Sequence, residues 1–230
     1  MLLNLLSGGF SAEDIPLLLL RIPIILIALT VHETAHGWVA LWMGDTTARD
    51  SGRLSLNPLR HLDPFGALAM LLVGFGWAKP VPIDTRRFKN PKAGMAISAL
   101  AGPLSNVLLS FFGLVCMRIV YFILPPASTM SKFAFYLAHY TLIFFYMFAA
   151  MNISLAIFNF LPMPPLDGSR ILFSFLPNRL YFGVMKYERY IAALIMILLF
   201  VGVLDKPMSF LINGALGGME RLLGLDKFLS

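Results

Sequence analysis

Long apolar runs separated by short polar stretches dominate this chain. Four of the runs favour membrane-spanning helices, because continuous apolar sequence of this kind is stable in lipid when its backbone is helical. These predicted spans cover about residues 16–43, 93–124, 133–161 and 190–204. The pattern indicates an all-α polytopic membrane protein in which the spans form a helix bundle.

A fifth apolar run, residues 65–77, has basic residues on both sides. It is shorter than the roughly 20 residues that a comfortable crossing needs. We therefore expect it to re-enter the cytoplasmic face, with a short span through a thinned bilayer as the alternative. At the two ends of the chain, residues 1–15 and 205–230 are expected to lie on the membrane surface, the second as an amphipathic helix.

The most polar part of the chain lies between residues 45 and 92. Its stretch TTARDSGRLSLNP predicts two short strands around a turn at residues 50–52, and WAKPVPID predicts another extended piece, since prolines exclude helix. We therefore predict a small membrane-associated β-sheet after the first span. The edge of that sheet, formed by residues 46–57 or 79–84, could hold an extended substrate by adding it as a strand.

The basic residues of this polar part predict how the first helix is oriented in the membrane. It holds eight basic residues, namely Arg49, Arg53, Arg60, Lys79, Arg86, Arg87, Lys89 and Lys92, whereas none precedes the first span. By the positive-inside rule, the first helix enters from outside and ends in the cytoplasm.

Composition narrows the class of protein. Of the 230 residues 58% are hydrophobic and 13% are charged, with a mean hydropathy of +0.78, and we expect a single membrane-embedded domain, residues 1–230. The net charge of +6 does not indicate a nucleic-acid partner, because the basic residues flank apolar spans. With Cys116 as its one cysteine, the chain can build neither an internal disulfide nor a thiolate metal cluster, so a metal must use histidine and carboxylate.

The first predicted span contains the motif HETAH at residues 32–36. On a helix, His32 and His36 are four residues apart and point to one side, where they can hold one metal ion with Glu33 beside it. Two histidines and a carboxylate in lipid are costly unless they face a partner or a cavity. The setting therefore favours a functional site over a chance match.

A catalytic zinc usually has three protein ligands and an open position, so a third ligand is required. Asp167 is the strongest candidate, because the prolines in NFLPMPPLDG, residues 159–168, force the chain to unwind at the end of its span. The alternative is that Asp167 only caps a following helix. His61 in the polar loop is a rival ligand, and His139 is expected about 30 Å from Asn159 along one helix.

Three separated motifs together resemble the site-2 protease family of intramembrane zinc metalloproteases: HETAH in a span, AGPLSN at residues 101–106, and NFLPMPPLDG. SLNPLRHLDPFG and GWAKPVPID are similar to its compact prokaryotic branch. The resemblance implies one zinc ion held by His32, His36 and Asp167, with Glu33 as general base and Asn159 beside the site. It also implies a membrane-associated β-sheet after the HETAH helix.

These observations predict a zinc-dependent endopeptidase that hydrolyses a peptide bond within or near a transmembrane segment of a membrane protein substrate. Asn159 or Asn106 could steady the oxyanion, or could instead make hydrogen bonds between helices. We expect an integral protein of a prokaryotic cell membrane, with its active site toward the cytoplasm. The alternatives are a non-catalytic membrane metal carrier or metal-binding scaffold, and another membrane zinc protease whose third ligand is a Glu.

Overall fold

A computed structural model describes residues 14–73, 77–177, 180, 183–184 and 186–225 of the chain. The predictions for residues 1–13, 74–76 and 226–230 lie outside this part. Its α-helices are α1 Asp14–Trp42, α2 Thr47–Asp50, α3 Pro64–Val73, α4 Pro91–Ile123, α5 Lys132–Phe160, α6 Asp167–Phe173, α7 Glu188–Phe200 and α8 Asp205–Leu222.

Among the described residues, three helices are long and apolar enough to cross a membrane: α1, α4 and α5. Capping side chains mark where α4 and α5 begin. Asn90 accepts a hydrogen bond from Ala93 N at 3.2 Å, and Ser131 accepts one from Ala134 N at 3.2 Å. Each cap satisfies an N–H that would otherwise lack a partner at the start of the helix.

The three long helices pack against one another, with α4 between α1 and α5. The core between α4 and α5 is formed by buried Leu114, Met117, Ala149 and Ile153, and α8 adds Leu216 to it. Burying these side chains contributes roughly 2 kcal/mol for each large one. This core holds α4, α5 and α8 together, and α4 also packs along α1, which carries the HETAH motif.

Helix α7, Glu188–Phe200, overlaps most of the predicted span at residues 190–204 and has 13 residues. This is shorter than the about 20 residues that a bilayer crossing needs. The predicted crossing at this point, like the surface position of the tail that contains α8, stays a prediction.

Helix α3 belongs to the predicted re-entrant segment and packs its Met70 against Ile25 and Leu29 of α1. The two ends of this segment lie next to each other. Lys79 N donates to the carbonyl of His61 at 2.9 Å, and Gly66 lies against the backbone of Trp77. Whether this segment re-enters one face or crosses the bilayer stays a prediction.

The predicted β-sheet is wrong for the described residues, which contain no strand. In place of the first predicted strand, α2 forms because the Asp45 carboxylate accepts a hydrogen bond from Thr47 N at 2.9 Å. The amides of Arg53 and Leu54 then turn back to the carbonyl of Ala48 instead of pairing with another strand. Gly52, with φ of +67°, makes this reversal without the strain that a side chain would add.

Residues 77–84 form neither a helix nor a strand in the described part of the chain. Pro80 and Pro82 have no N–H, and the amides of Lys79, Val81 and Asp84 donate to His61 O, Glu33 Oε2 and Asp45 Oδ2. A substrate strand would find few free donors here. The structure therefore does not support the expectation that substrate adds to a sheet edge at residues 46–57 or 79–84.

Candidate metal centre

The two histidines of HETAH face one point beside α1. Their Nε2 atoms lie 3.0 Å apart, and Oδ2 of Asp167 lies 3.2 Å from each of them. His32 and His36 are buried, and Asp167 is half-buried. Within the described residues, these three form the one group of histidine, cysteine or acidic side chains arranged to hold a metal ion.

The proline-rich break between α5 and α6 brings Asp167 to this point. Helix α5 ends at Phe160, and α6 begins at Asp167 itself. Gly168 lies so close to the carbonyl of Phe160 that a Cβ there would collide with it. The residue at the cap position is Leu166, so Asp167 is not the helix cap that was its alternative role.

Oxygen acceptors behind the imidazoles fix their tautomers. His32 Nδ1 lies 2.6 Å from Oδ1 of Asn106, and His36 Nδ1 lies 2.7 Å from the carbonyl of Ser98. Each Nδ1 must carry the hydrogen, because a carbonyl oxygen only accepts. Both Nε2 atoms therefore present lone pairs toward Asp167, as metal-binding imidazoles do.

This donor set fits a zinc ion. The Nε2 atoms of both histidines and Oδ2 of Asp167 converge on one point, and this oxygen is buried without another hydrogen-bond partner. A bound cation would compensate the cost of burying this carboxylate oxygen. Ligands at the usual zinc distances of about 2.0–2.1 Å lie about 3.3 Å apart in a tetrahedron, close to the separations of 3.0 and 3.2 Å found here.

The room for these rings comes from the facing helix. Gly102 of α4 has no side chain, and a Cβ at this position would lie 2.7 Å from Cε1 of His32 and closer still to the ring of His36. One turn earlier, Ser98 Oγ donates to the carbonyl of His36 at 3.1 Å. The small residues of α4 thus let two imidazoles stand between two helices.

Glu33 is buried and lies beside the three candidate ligands. Its Oε2 accepts a hydrogen bond from the backbone N–H of Val81 at 2.8 Å. The bond fixes the carboxylate toward a cavity of about 720 Å³, which the candidate ligands also line. A carboxylate held next to a metal site can exchange a proton with a water molecule there.

Comparison with known proteins identifies the family. The model of peptidase family M50 matches residues 21–203, which include all three candidate ligands and Glu33. The chain belongs to peptidase family M50, the site-2 protease family.

A second comparison agrees with the family assignment. The chain is 38% identical over 177 residues to a protein of Bacillus subtilis (strain 168) named "Putative zinc metalloprotease YwhC", covering 77% of this chain and 78% of that protein. No solved structure matches the chain. This M50 peptidase is a zinc metalloprotease with helices long and apolar enough to span a membrane.

The cavity of this M50 peptidase is mainly apolar away from the candidate ligands. Its lining includes Leu29, Val81, Ile83, Met95, Leu155, Phe158, Ala192, Ile195 and Met196, together with Asn159 and Arg170. Asn159 Nδ2 donates to the carbonyl of Leu155 at 2.9 Å, which leaves its second hydrogen for other partners. Its predicted position beside the site agrees with this placement.

Asn106 lies behind His32 and does not line the cavity. Its Nδ2 donates to Oδ1 of Asn152 at 2.8 Å and to the carbonyl of Ala28 at 3.3 Å, so both hydrogens are used. No N–H remains for an oxyanion. The geometry argues against that predicted role and matches the alternative, a hydrogen bond between helices.

The two other histidines, His61 and His139, are not among the three candidate metal ligands. His61, the rival ligand, is 1% exposed and lies outside the set that could hold a metal among the described residues. His139 is exposed on α5, where its ring stacks on Phe135 with centroids 6.2 Å apart.

Two acidic residues fix the loop that carries Val81. Asp45 is completely buried and its Oδ2 accepts from Asp84 N at 2.7 Å. Asp84 in turn accepts hydrogen bonds from the side chain and backbone of Arg86, and these bonds lower its pKa to about 2. Asp84 is therefore ionised at neutral pH.

Sequence reasoning missed Asn152, which holds Asn106 from α5. A signal was present, because Asn152 precedes Asn159 by two helical turns in an apolar helix, and a polar side chain at such a position needs a partner. It also missed the bond between Val81 and Glu33, which no local pattern reveals.

Proposed function

We propose that this M50 peptidase hydrolyses a peptide bond within or near a transmembrane segment of a membrane protein substrate. The observation that carries the proposal is the convergence of His32, His36 and Asp167 on one point beside Glu33, at the wall of an apolar cavity. A purely metal-carrying protein would have no need of Glu33 beside the ligands.

His32, His36 and Asp167 are the proposed ligands, and each imidazole is held in the required tautomer by an oxygen acceptor. The chemistry that a bound zinc ion supplies is Lewis acidity, which lowers the pKa of a water molecule and polarises a peptide carbonyl. The protein supplies the geometry for that chemistry.

Glu33 is the proposed general base. Its Oε2 is held by Val81 N–H, which leaves Oε1 to accept a proton from the attacking water. Glu33 then donates this proton to the amide nitrogen of the leaving peptide. Asn159 is the proposed donor to the developing oxyanion, because its second amide hydrogen can point into the cavity that it lines.

The apolar cavity suits a substrate drawn from the bilayer. A transmembrane helix resists cleavage because its amides bond within the helix and shield its carbonyls. The substrate must therefore unwind, and we infer that its unwound segment lies against apolar side chains such as Leu29, Leu155 and Ile195.

The site is proposed to open toward the cytoplasm. His36 precedes Gly44 by eight residues, which is about 12 Å along the helix, and the polar loop at that end carries the eight basic residues counted from the sequence. A basic loop of this kind is retained on the cytoplasmic side. Water reaches the ligands from the same side.

Purified protein in detergent would test the function with a panel of single-span substrates. Wild type should contain one zinc ion per chain and cleave at least one substrate. Glu33→Gln should keep the zinc and lose cleavage by at least about a hundredfold, since it removes the proton acceptor. Glu188→Gln makes the same chemical change on α7 outside the cavity lining and should cleave normally.

Two results would contradict the proposal. Unchanged cleavage by Glu33→Gln would remove Glu33 as the base. Stable zinc binding by wild type without cleavage of any single-span substrate, combined with zinc transfer across vesicles, would favour the metal carrier.

A further inference from the structure

His61 is a buried histidine that the proposed chemistry does not use. It is 1% exposed and does not line the cavity. Burying a polar ring completely costs free energy unless the ring is hydrogen-bonded. Its contacts therefore indicate what the side chain does for the protein.

The imidazole of His61 and a side chain of α1 bind the same backbone carbonyl in the loop after α1. Its Nε2 lies 2.6 Å from the carbonyl of Ser55, so this nitrogen carries the hydrogen and donates it. Thr34 Oγ1 donates to the same carbonyl at 2.8 Å. Thr34 is the residue directly after Glu33, so the shared carbonyl joins the loop to α1 next to the proposed base.

The backbone of His61 holds the segment that carries Val81. Its carbonyl accepts from Lys79 N at 2.9 Å. From the other side, Arg53 Nη2 donates to the carbonyls of Lys79 and Pro80 at 2.8 and 3.2 Å. Two residues beyond Lys79, Val81 N–H donates to Glu33 Oε2 at 2.8 Å.

The prolines on both sides of Val81 make this arrangement stiff. Pro80 and Pro82 fix their φ angles and offer no N–H. The Val81 amide is thus the one donor between them, and its direction depends on where Lys79 is held. A small displacement of Lys79 would therefore carry the Val81 amide away from Glu33.

We propose that His61 is a positioning residue that keeps the Val81 N–H on the carboxylate of Glu33. It acts through Ser55 and Lys79 and touches neither substrate nor metal. The inference rests on the proposed function only in giving Glu33 its role as base. Without the bond, the Glu33 carboxylate turns away from the orientation needed for proton transfer.

Two substitutions separate this role from general packing. Gln carries an N–H donor at about the reach of His Nε2, whereas the shorter Asn does not reach the Ser55 carbonyl. His61→Gln should therefore keep the hydrogen bond to the Ser55 carbonyl, and His61→Asn should lose it. His139→Asn is the matched control, since His139 is exposed on α5.

The measurements are kcat and KM for a cleaved single-span substrate, bound zinc, and hydrogen–deuterium exchange of a peptide covering residues 77–84. His61→Asn should lower kcat about tenfold, as expected for a misplaced catalytic group, with KM and zinc content unchanged. Exchange at the Lys79 and Val81 amides should quicken in the same variant. His61→Gln should stay within about threefold of wild type in kcat, and His139→Asn should match wild type in every measurement.

A kcat for His61→Asn equal to that of wild type would overturn the proposal, as would lost activity with unchanged exchange at residues 79–81. Should His61→Asn fail to fold, His61→Phe keeps a ring at this position but removes the donor to Ser55, and it should accelerate exchange in the same peptide; unchanged exchange in that variant would equally overturn the proposal. A wild type that cleaves no substrate would contradict the proposed function. The exchange data would still test whether His61 holds the Lys79 and Val81 amides in place.

Discussion

Gly102 of α4 lies directly against the imidazole of His36 on α1. A side chain at residue 102 would occupy the volume in which both histidine rings stand. The close approach of the two helices is therefore part of the candidate metal centre.

Replacement of Gly102 by alanine should weaken zinc binding by at least about tenfold, because the new methyl group displaces an imidazole from the ligand position. The measurement is zinc retained after dialysis against a competing chelator. Gly214→Ala is the matched control, since nothing lies within 4 Å of a Cβ there. Alanine favours helix over glycine by about 1 kcal/mol, so a loss at Gly102 would not reflect helix propensity. Equal zinc retention by both variants would contradict the assigned packing.

Asn106 orients His32 by accepting its Nδ1 hydrogen, and Asn152 orients Asn106. Asn106→Leu should lower zinc affinity by about 10- to 100-fold, the usual cost of losing a hydrogen bond behind a metal-binding histidine. Asn152→Leu should have a smaller effect, and the double variant should lose less than the product of the two single losses. Normal zinc affinity in Asn106→Leu would show that the His32 ring is oriented by other contacts.

Asp45 joins the end of α1 to the loop that carries Val81. Its two carboxylate oxygens accept from Thr47 N and Asp84 N. Asp45→Ala should lower the free energy of unfolding by about 2–4 kcal/mol, because two N–H groups lose a charged acceptor. A lower Tm in detergent would report this loss. Asp50→Ala is the control, since that carboxylate is exposed and its removal should leave the Tm nearly unchanged.

Removal of zinc should inactivate the protein reversibly. A strong chelator should abolish cleavage, and added zinc should restore it, because hydrogen bonds from α4 orient both histidines and Asp167 is placed by the start of α6. Circular dichroism should change little on chelation, in contrast to small domains that unfold without their zinc. Loss of helix signal on chelation would mean that the ion holds these helices together.

Local sequence determined the features that depend on near neighbours in the chain. The length of the apolar runs implied α1, α4 and α5, and the four-residue spacing of His32 and His36 placed both rings on one side of a helix. The prolines before Asp167 implied a break in the chain at that point. These features follow from helix geometry and from the cost of exposing polar backbone to lipid.

The tertiary structure decided what local patterns left open. The strands predicted at residues 46–57 do not form, because Asp45 accepts from Thr47 N where helix α2 begins. Residues 77–84 stay unpaired because amides among them have acceptors on other segments. Only the folded chain shows that Gly102 makes room for His36 and that Asn106 lies behind His32. Such contacts join residues far apart in sequence, and the packing of three helices, which no single segment encodes, determines them.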